Sequence, residues 1–423
     1  MREMNVLFVT PSEVSSGESV TALHMAEWLG MDGCKVHFLA SAFTGTFVRS
    51  RLLGAVTELG PELSANQRTW EIVLQKFKPS HIVFADYPLL GFSSGTVPLR
   101  NEWWEHRLEE CDAEIFTLDH LGYAQGARLV FFGPPHETIG LERIRPMPPR
   151  IHVLLPCPLH DPDDTPLRGQ PFRYWSSCAE APQSNAVEAR TPYVRSAEEL
   201  LIVHCTSGWS CRAAELIRSP YYSFLPRLLN YLLCDCPLPV TILSVNNGSL
   251  LPRFNSGRVQ IVNIGAIGPS QYEALLNASD LFITENRISV SLAKAIHLRK
   301  QCAVLHNSRT ICDIIDFGPE PLRLLAQEME RVRPGSVFPF EVFPIWARND
   351  LEKLGIVNKG IQGVFAMIEI FGGEQSAEEF QGLLIDSSSR ERMRDAQSSY
   401  LMRVQSLPSP SQVLKNGPTS AHC

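Results

Sequence analysis

Asn5-Val6-Leu7-Phe8-Val9-Thr10-Pro11, followed by the polar loop Ser12-Glu13-Val14-Ser15-Ser16-Gly17-Glu18, is the stretch on which the fold turns. Its apolar, β-branched and aromatic residues read as a strand that stops at a proline, which has no N–H for a ladder. Val20, Leu23, Met25, Ala26 and Leu29 then recur at helical spacing as far as Gly33, and Lys35–Ala40 is the next apolar run. Strand, loop, helix and strand in that order make a parallel unit.

The same alternation continues outward. Trp70–Phe77 reads as a helix, His81–Ala85 as a strand ending at Asp86, Glu114–Leu118 as a strand ending at Asp119, and Ile151–Leu155 as a strand closed by Pro156. Between about His160 and Glu198 the pattern stops in a stretch rich in Pro, Ser and charge, with Phe172, Tyr174 and Trp175 embedded. Such a length exceeds a normal connection, so it is a linker or an insertion packed near the cleft. Strands restart at Leu200–His204, Val240–Val245, Val259–Ile264, Leu281–Thr284 and Cys302–His306, with helices over Tyr222–Leu233, Ser270–Ala278 and Ser291–Leu298. The expected class is α/β, with parallel sheets covered by helices on both faces. The expected boundaries are residues 1–159, a linker or insertion at 160–198, a second α/β domain at 199–376, and a helical tail at 377–423 that frays from Pro408 onward.

Composition narrows the partners. The chain has 423 residues, 44% hydrophobic and 20% charged, which suits two domains rather than one core. Net charge is −7 with no clustered Lys and Arg, so no nucleic-acid surface is expected. The apolar run at the start is too short for a signal peptide, and no segment reaches the ~18 apolar residues of a membrane span. The eleven cysteines are an odd number, and only Cys234 and Cys236 are close-spaced, so a zinc site lacks its second pair. His136-Glu137 likewise has no partner at ligand spacing. Reduced cysteines, a cytoplasmic location, no membrane span and no metal are the expectations.

In open parallel sheets ligands bind beyond the carboxyl ends of the strands. That rule selects Ser16, Gly17, Glu18, Asp86, Asp119 and His120 in the first half, and Ser207, Gly208, Trp209, Ser210 and the loop Glu285 to Ser291 in the second. Hydroxyls and free amides at Ser207–Ser210 suit a phosphate. The same residues also suit an ordinary βα turn with a Ser cap, and one glycine does not separate the two.

Ala278-Ser279-Asp280-Leu281-Phe282-Ile283-Thr284-Glu285-Asn286-Arg287-Ile288-Ser289-Val290-Ser291-Leu292-Ala293-Lys294-Ala295 resembles the donor-site segment of GT-B glycosyltransferases, notably relatives of the lipid-II-forming N-acetylglucosaminyltransferases. Met4–Ala40 is similar to that family's opening, Lys78 to Asp86 to its Asp-bearing strand, and Ser388 to Val404 to its returning C-terminal helix. The resemblance implies two Rossmann-like domains facing across a cleft, with a nucleotide-diphosphate sugar as co-substrate and no other cofactor. It further implies that Glu285, Asn286, Ser289, Ser291 and Lys294 line the donor side with Ser207–Ser210, while Ser16 and Gly17 close over the diphosphate. Lys294 stands where the family usually carries a ribose-binding Glu; a lysine cannot accept those hydroxyl bonds but suits a phosphate, which leaves Glu285 as the alternative acceptor.

Glycosyl transfer also needs a base for the acceptor. Asp119 is the first candidate, because His120 adds a second titratable group at the same edge, with Asp86, His120 and Glu18 behind it. Each also has a plain reading as a turn, cap or first-turn residue. Trp103-Trp104 suits a stacking wall but also a half-buried interface. The expected function is transfer of a sugar to a small-molecule acceptor in specialised metabolism, since Phe92–Arg107 and Gln125–Arg145 lack a membrane-docking pattern. A nucleotide-sugar hydrolase or 2-epimerase, or a non-catalytic partner protein of the same architecture, are the alternatives.

Overall fold

The computed structural model describes residues 4–13, 17–52, 56–87, 90, 97–99, 102–120, 129–133, 137–142, 148–158, 169–175, 183–206, 208, 211, 214–215, 218–245, 251–286, 289–307, 309, 311–334 and 363–416, with backbone alone at 102–104, 129–133, 137–142 and 183–185. These residues build two sheets of seven strands and a separate hairpin.

The first sheet takes β1 (Asn5–Thr10), β2 (Lys35–Ser41), β3 (Val56–Leu59), β4 (His81–Phe84) and β5 (Glu114–Leu118). The hairpin β6 (Leu129–Gly133) and β7 (Glu137–Glu142) stands apart, and β8 (Ile151–Cys157) and β9 (Gln170–Arg173) complete the sheet. Its order is β3-β2-β1-β4-β5-β8-β9, parallel throughout. Helices α1 (Gly17–Met31), α2 (Ala42–Arg49), α3 (Leu63–Phe77) and α4 (Glu102–Glu109) connect these strands. Val6 to Val9 have no solvent exposure, as an apolar strand needs when both faces are covered. Gly33, at φ +79, lets the chain leave α1 in the left-handed region, where its N–H reaches Gly30 O at 3.1 Å.

After α5 (Gln183–Arg190) the second sheet takes β10 (Leu200–Cys205), β11 (Val240–Val245), β12 (Phe254–Asn255), β13 (Val259–Asn263), β14 (Leu281–Thr284), β15 (Cys302–His306) and β16 (Ala366–Glu369). Its order is β12-β13-β11-β10-β14-β15-β16, with only the short β12 antiparallel among the described pairs. Helices α6 (Tyr221–Leu233), α7 (Pro269–Ala278), α8 (Val290–His297), α9 (Ile311–Phe317), α10 (Glu320–Val332) and α11 (Glu374–Ile385) cover it. In both sheets the first strand lies centrally, the next strands (β2 and β3 in the first sheet, β11 to β13 in the second) run to one side and the following strands to the other. That order is Rossmann-like, and it occurs twice.

Three expectations shift. The helix expected over Trp70–Phe77 begins at Leu63, because its first turns are polar and face outward apart from Asn66. The stretch 160–198 is more than a connection: β9 pairs with β8, and α5 packs on α7. The frayed end expected from Pro408 is instead helix α13 (Pro410–Asn416), whose Val413 and Leu414 are buried beside Phe8 and Leu29 in the first domain. The preceding helix, α12 (Ser387–Gln405), starts on Asp386, whose carboxylate accepts from Ser388 N at 3.0 Å and Ser389 N at 3.2 Å. Tyr400 on α12 donates to Pro158 O at 2.7 Å, and His81 Nε2 donates to Leu414 O at 3.2 Å. Helix α13 therefore belongs to the first domain.

A candidate cleft at two strand-order reversals

Each sheet reverses its strand order once, between β1 and β4 in the first and between β10 and β14 in the second. Crevices outside the carboxyl ends of such strand pairs are where open α/β sheets take ligands. The helices that begin at these two reversals, α1 and α8, pack against each other. The two crevices therefore open beside helices that touch each other.

At the first reversal the loop after β1 is held from below by hydroxyls. Thr44 Oγ1 donates to Thr10 O at 2.6 Å, and Ser41 Oγ donates to Ser12 O at 2.5 Å while accepting from Thr44 N at 3.1 Å. Gly17 and Glu18 open α1, where an aligned helix N-terminus favours negative charge. Thr21 Oγ1 donates to Gly17 O at 3.2 Å, so His120 Nε2, 3.1 Å from the same oxygen, is the donor to it. His120 and Gly17 are thereby brought together through a residue that sequence reasoning did not select. Asp119 and Asp86 lie beyond β5 and β4 as expected, but both are enclosed, at 0% and 4% exposure. Tyr87 N donates to Thr117 Oγ1 at 3.0 Å, which fixes the backbone next to Asp86.

At the second reversal Ser289 is the N-cap of α8, accepting from Ser291 N at 3.1 Å and Leu292 N at 3.4 Å. Ser291 Oγ lies 3.6 Å from Cys205 Sγ at the end of β10. Asn286 is buried, with its N–H on Thr284 Oγ1 at 3.2 Å. Gly208, beyond the end of β10, is helical. Ser16, Ser207, Trp209 and Ser210 lie outside the described residues, as do His136 and the side chains of Trp103 and Trp104.

Two donor-side candidates are engaged within the protein. Glu285 is buried, and its carboxylate accepts from His204 Nε2 at 2.8 Å, Thr206 Oγ1 at 2.9 Å and Tyr221 OH at 3.1 Å. His204 Nε2 also lies 3.1 Å from Thr206 Oγ1, and its Nδ1 meets Ser244 Oγ at 3.2 Å. Burial alone would raise the Glu285 pKa; the facing His204 and the hydroxyl of Thr206 outweigh it and hold the carboxyl below its ordinary value. Burial, with this carboxylate nearby, pushes the phenols of Tyr221 and Tyr222 well up. Lys294 is 7% exposed, paired with Glu273, and lies 5.9 Å from the centre of the Trp175 ring. Burial lowers its pKa against the pull of Glu273. The signal for the Glu285 network was present in the strands, since His204 and Ser244 are polar breaks in otherwise apolar runs.

Among the described residues no group of three His, Cys, Asp or Glu is placed to hold a metal ion, and no helix is long and apolar enough to cross a membrane.

Comparison with curated proteins finds no match. Among solved structures the chain is similar to the spinosyn rhamnosyltransferase SpnG, at 15% identity and TM-score 0.48, covering 98% of this chain and 99% of that one. It is similar to the glycosyltransferase VinC in complex with dTDP, at 12% identity and TM-score 0.48 with 98% of both chains covered. It is also similar to MurG of Acinetobacter baumannii, at 10% identity and TM-score 0.43, covering 98% and 99%. Residues 25–420 match a single family over nearly the whole of this double Rossmann-like architecture, and the chain belongs to that family, DUF6365, a family of unknown function.

Proposed function

We propose that the chain transfers a sugar from a nucleotide-diphosphate donor to a small-molecule acceptor of specialised metabolism. One observation carries this reading: the helices that start at the two strand-order reversals, α1 and α8, pack against each other. A donor bound at one reversal then faces an acceptor bound at the other.

In the proposed reaction the acceptor oxygen attacks the anomeric carbon, the bond from that carbon to the diphosphate breaks, and a base takes the acceptor's proton. The diphosphate leaves as an anion. The N-terminus of α8, with Ser291 in its first turn, and the backbone at Gly208 supply N–H and O–H groups where that charge develops. Ser289 acts indirectly, by fixing the first turn of α8 through its cap bonds. On the opposite side His120, tied through Thr21 to the start of α1, and Glu18 on its first turn are the groups nearest the reversal; Asp119 and Asp86 complete the candidate bases.

A second reading, a non-catalytic partner protein of the same architecture, is favoured by the engagement of both Glu285 and Lys294 in protein contacts. The test is a thermal-shift panel with UDP, GDP, dTDP, ADP and CMP on the native chain and on Ser291→Ala. A ligand that binds only the folded state raises its melting temperature by mass action. A rise with one nucleotide that shrinks in the variant supports transfer and names the base. No rise with any of the five rejects the donor-site reading in favour of the non-catalytic one.

A further inference from the structure

Five charged or titratable side chains form a line across the domain boundary. His24 Nδ1 on α1 lies 3.2 Å from Glu27 Oε2, and Glu27 Oε1 accepts from Arg51 Nη1 at 3.2 Å. Arg51 Nη2 reaches over to Glu273 Oε1 on α7 at 2.5 Å, and Lys294 Nζ on α8 closes on the same oxygen. The signs alternate: Glu27, Arg51, Glu273, Lys294. Two come from the first domain and two from the second.

A stack of rings lies against this line. Trp175, just past β9 in the first domain, faces His297 of α8 with ring centres 4.6 Å apart and planes at 25°. Its other neighbours are Tyr174 at 4.9 Å and His24 at 5.0 Å, and Lys294 stands over it. The charges and the rings join the same two helices that begin at the reversals.

These pairs are not ordinary surface ion pairs. Lys294 is buried, Arg51 is 20% exposed, and Glu27 and Glu273 are 27% and 28% exposed. A half-buried network loses little to screening and holds its partners in one geometry, unlike an exposed pair. Burial would raise the carboxyl of Glu273, yet Lys294 and Arg51 together hold it below its ordinary value.

We infer that Glu27, Arg51, Glu273 and Lys294, with Trp175 against His297, form an intramolecular clasp that holds the two domains to each other. Lys294 is its inner post: by neutralising Glu273 it keeps that carboxylate aimed at Arg51. The inference does not depend on what the cleft binds.

The test is amide hydrogen exchange on the full chain, comparing the native protein with Arg51→Ala and Glu273→Gln, which approach the bridge from opposite domains. Arg49→Ala is the control, since Arg49 pairs with Glu58 at 2.5 Å inside the first domain. The clasp predicts exchange about tenfold faster in residues 17–31 and 290–297 of both bridge variants, with the sheet interiors and the control unchanged. Small-angle scattering then records a larger radius of gyration for the bridge variants. Unchanged exchange in α1 and α8, or the same loss of protection in Arg49→Ala, overturns the inference.

Discussion

His204 Nε2 stands 2.8 Å from Glu285 Oε1 in the interior of the second domain, and both residues are less than a tenth exposed. The pair sits on adjacent strand ends, with Thr206, Tyr221 and Ser244 satisfying the remaining valences. Such a pair contributes little by existing and costs much when halved. Glu285→Ala should therefore destabilise the second domain by about 3–5 kcal/mol, since it leaves His204, Thr206 and Tyr221 without their acceptor. Glu285→Gln should cost less, because it keeps one acceptor oxygen. Denaturant unfolding of both variants checks this, and equal stability with the native chain rejects the network as a stabilising element.

Acid should loosen the domain boundary. Burial, helped by His24, Lys294 and Arg299, pushes the His297 pKa down to about 4, against roughly 6.5 in an unfolded chain. Between those values the unfolded state binds the proton and the folded state does not, so stability rises with pH across that window. Burial lowers His24 in the same direction. Glu27 and Glu273, whose pKa values are lowered in the folded state, also lose their contribution as pH falls through them. Lowering the pH from 7 to 4 should cost on the order of 1–2 kcal/mol at His297 after solvent screening, and His297→Phe should flatten that part of the curve. Melting temperatures of both proteins at several pH values measure it.

Ser289 caps α8 with two backbone bonds. Ser289→Ala should cost about 1 kcal/mol, and Ser289→Asp should restore it because aspartate caps as well. If α8 receives a diphosphate, the aspartate variant regains stability while losing the nucleotide-induced rise in melting temperature. Recovery of both by aspartate would contradict an anion at that helix.

The end of the chain is a structural part of the first domain. Val413 has no exposure and Leu414 2%, in a core shared with Phe8 and Leu29. Leu414→Ala should destabilise that domain by about 2–4 kcal/mol, and removal of residues 408–423 by more. A truncated chain as stable as the full one would show the helix to be decorative.

The fold was largely legible because buried parallel strands announce themselves. Leu281–Thr284 and Cys302–His306 coincide with the expected runs, and Lys35–Ala40 lengthens by one residue. Strand β9 escaped because Pro171 interrupts a run of four residues, which argues against a strand except at an edge, where β9 lies. Helix α13 escaped because Pro408 and Pro410 read as the end of structure. The site was legible only as loops. That Ser289 caps a helix follows from its position before an apolar periodicity. That Lys294 meets Glu273, and Glu273 meets Arg51, does not, because those contacts join segments 21 and 222 residues apart.

The return of the chain to its first domain has a mechanical consequence. The polypeptide passes between the sheets twice, once between β9 and β10 and once where α12, which touches β9, gives way to α13. A body tethered at one point can tumble; tethered at two, it can only turn about the line that joins them. The second domain is thus mounted like a door on two hinges. Two crossings leave it fewer ways to turn than one would.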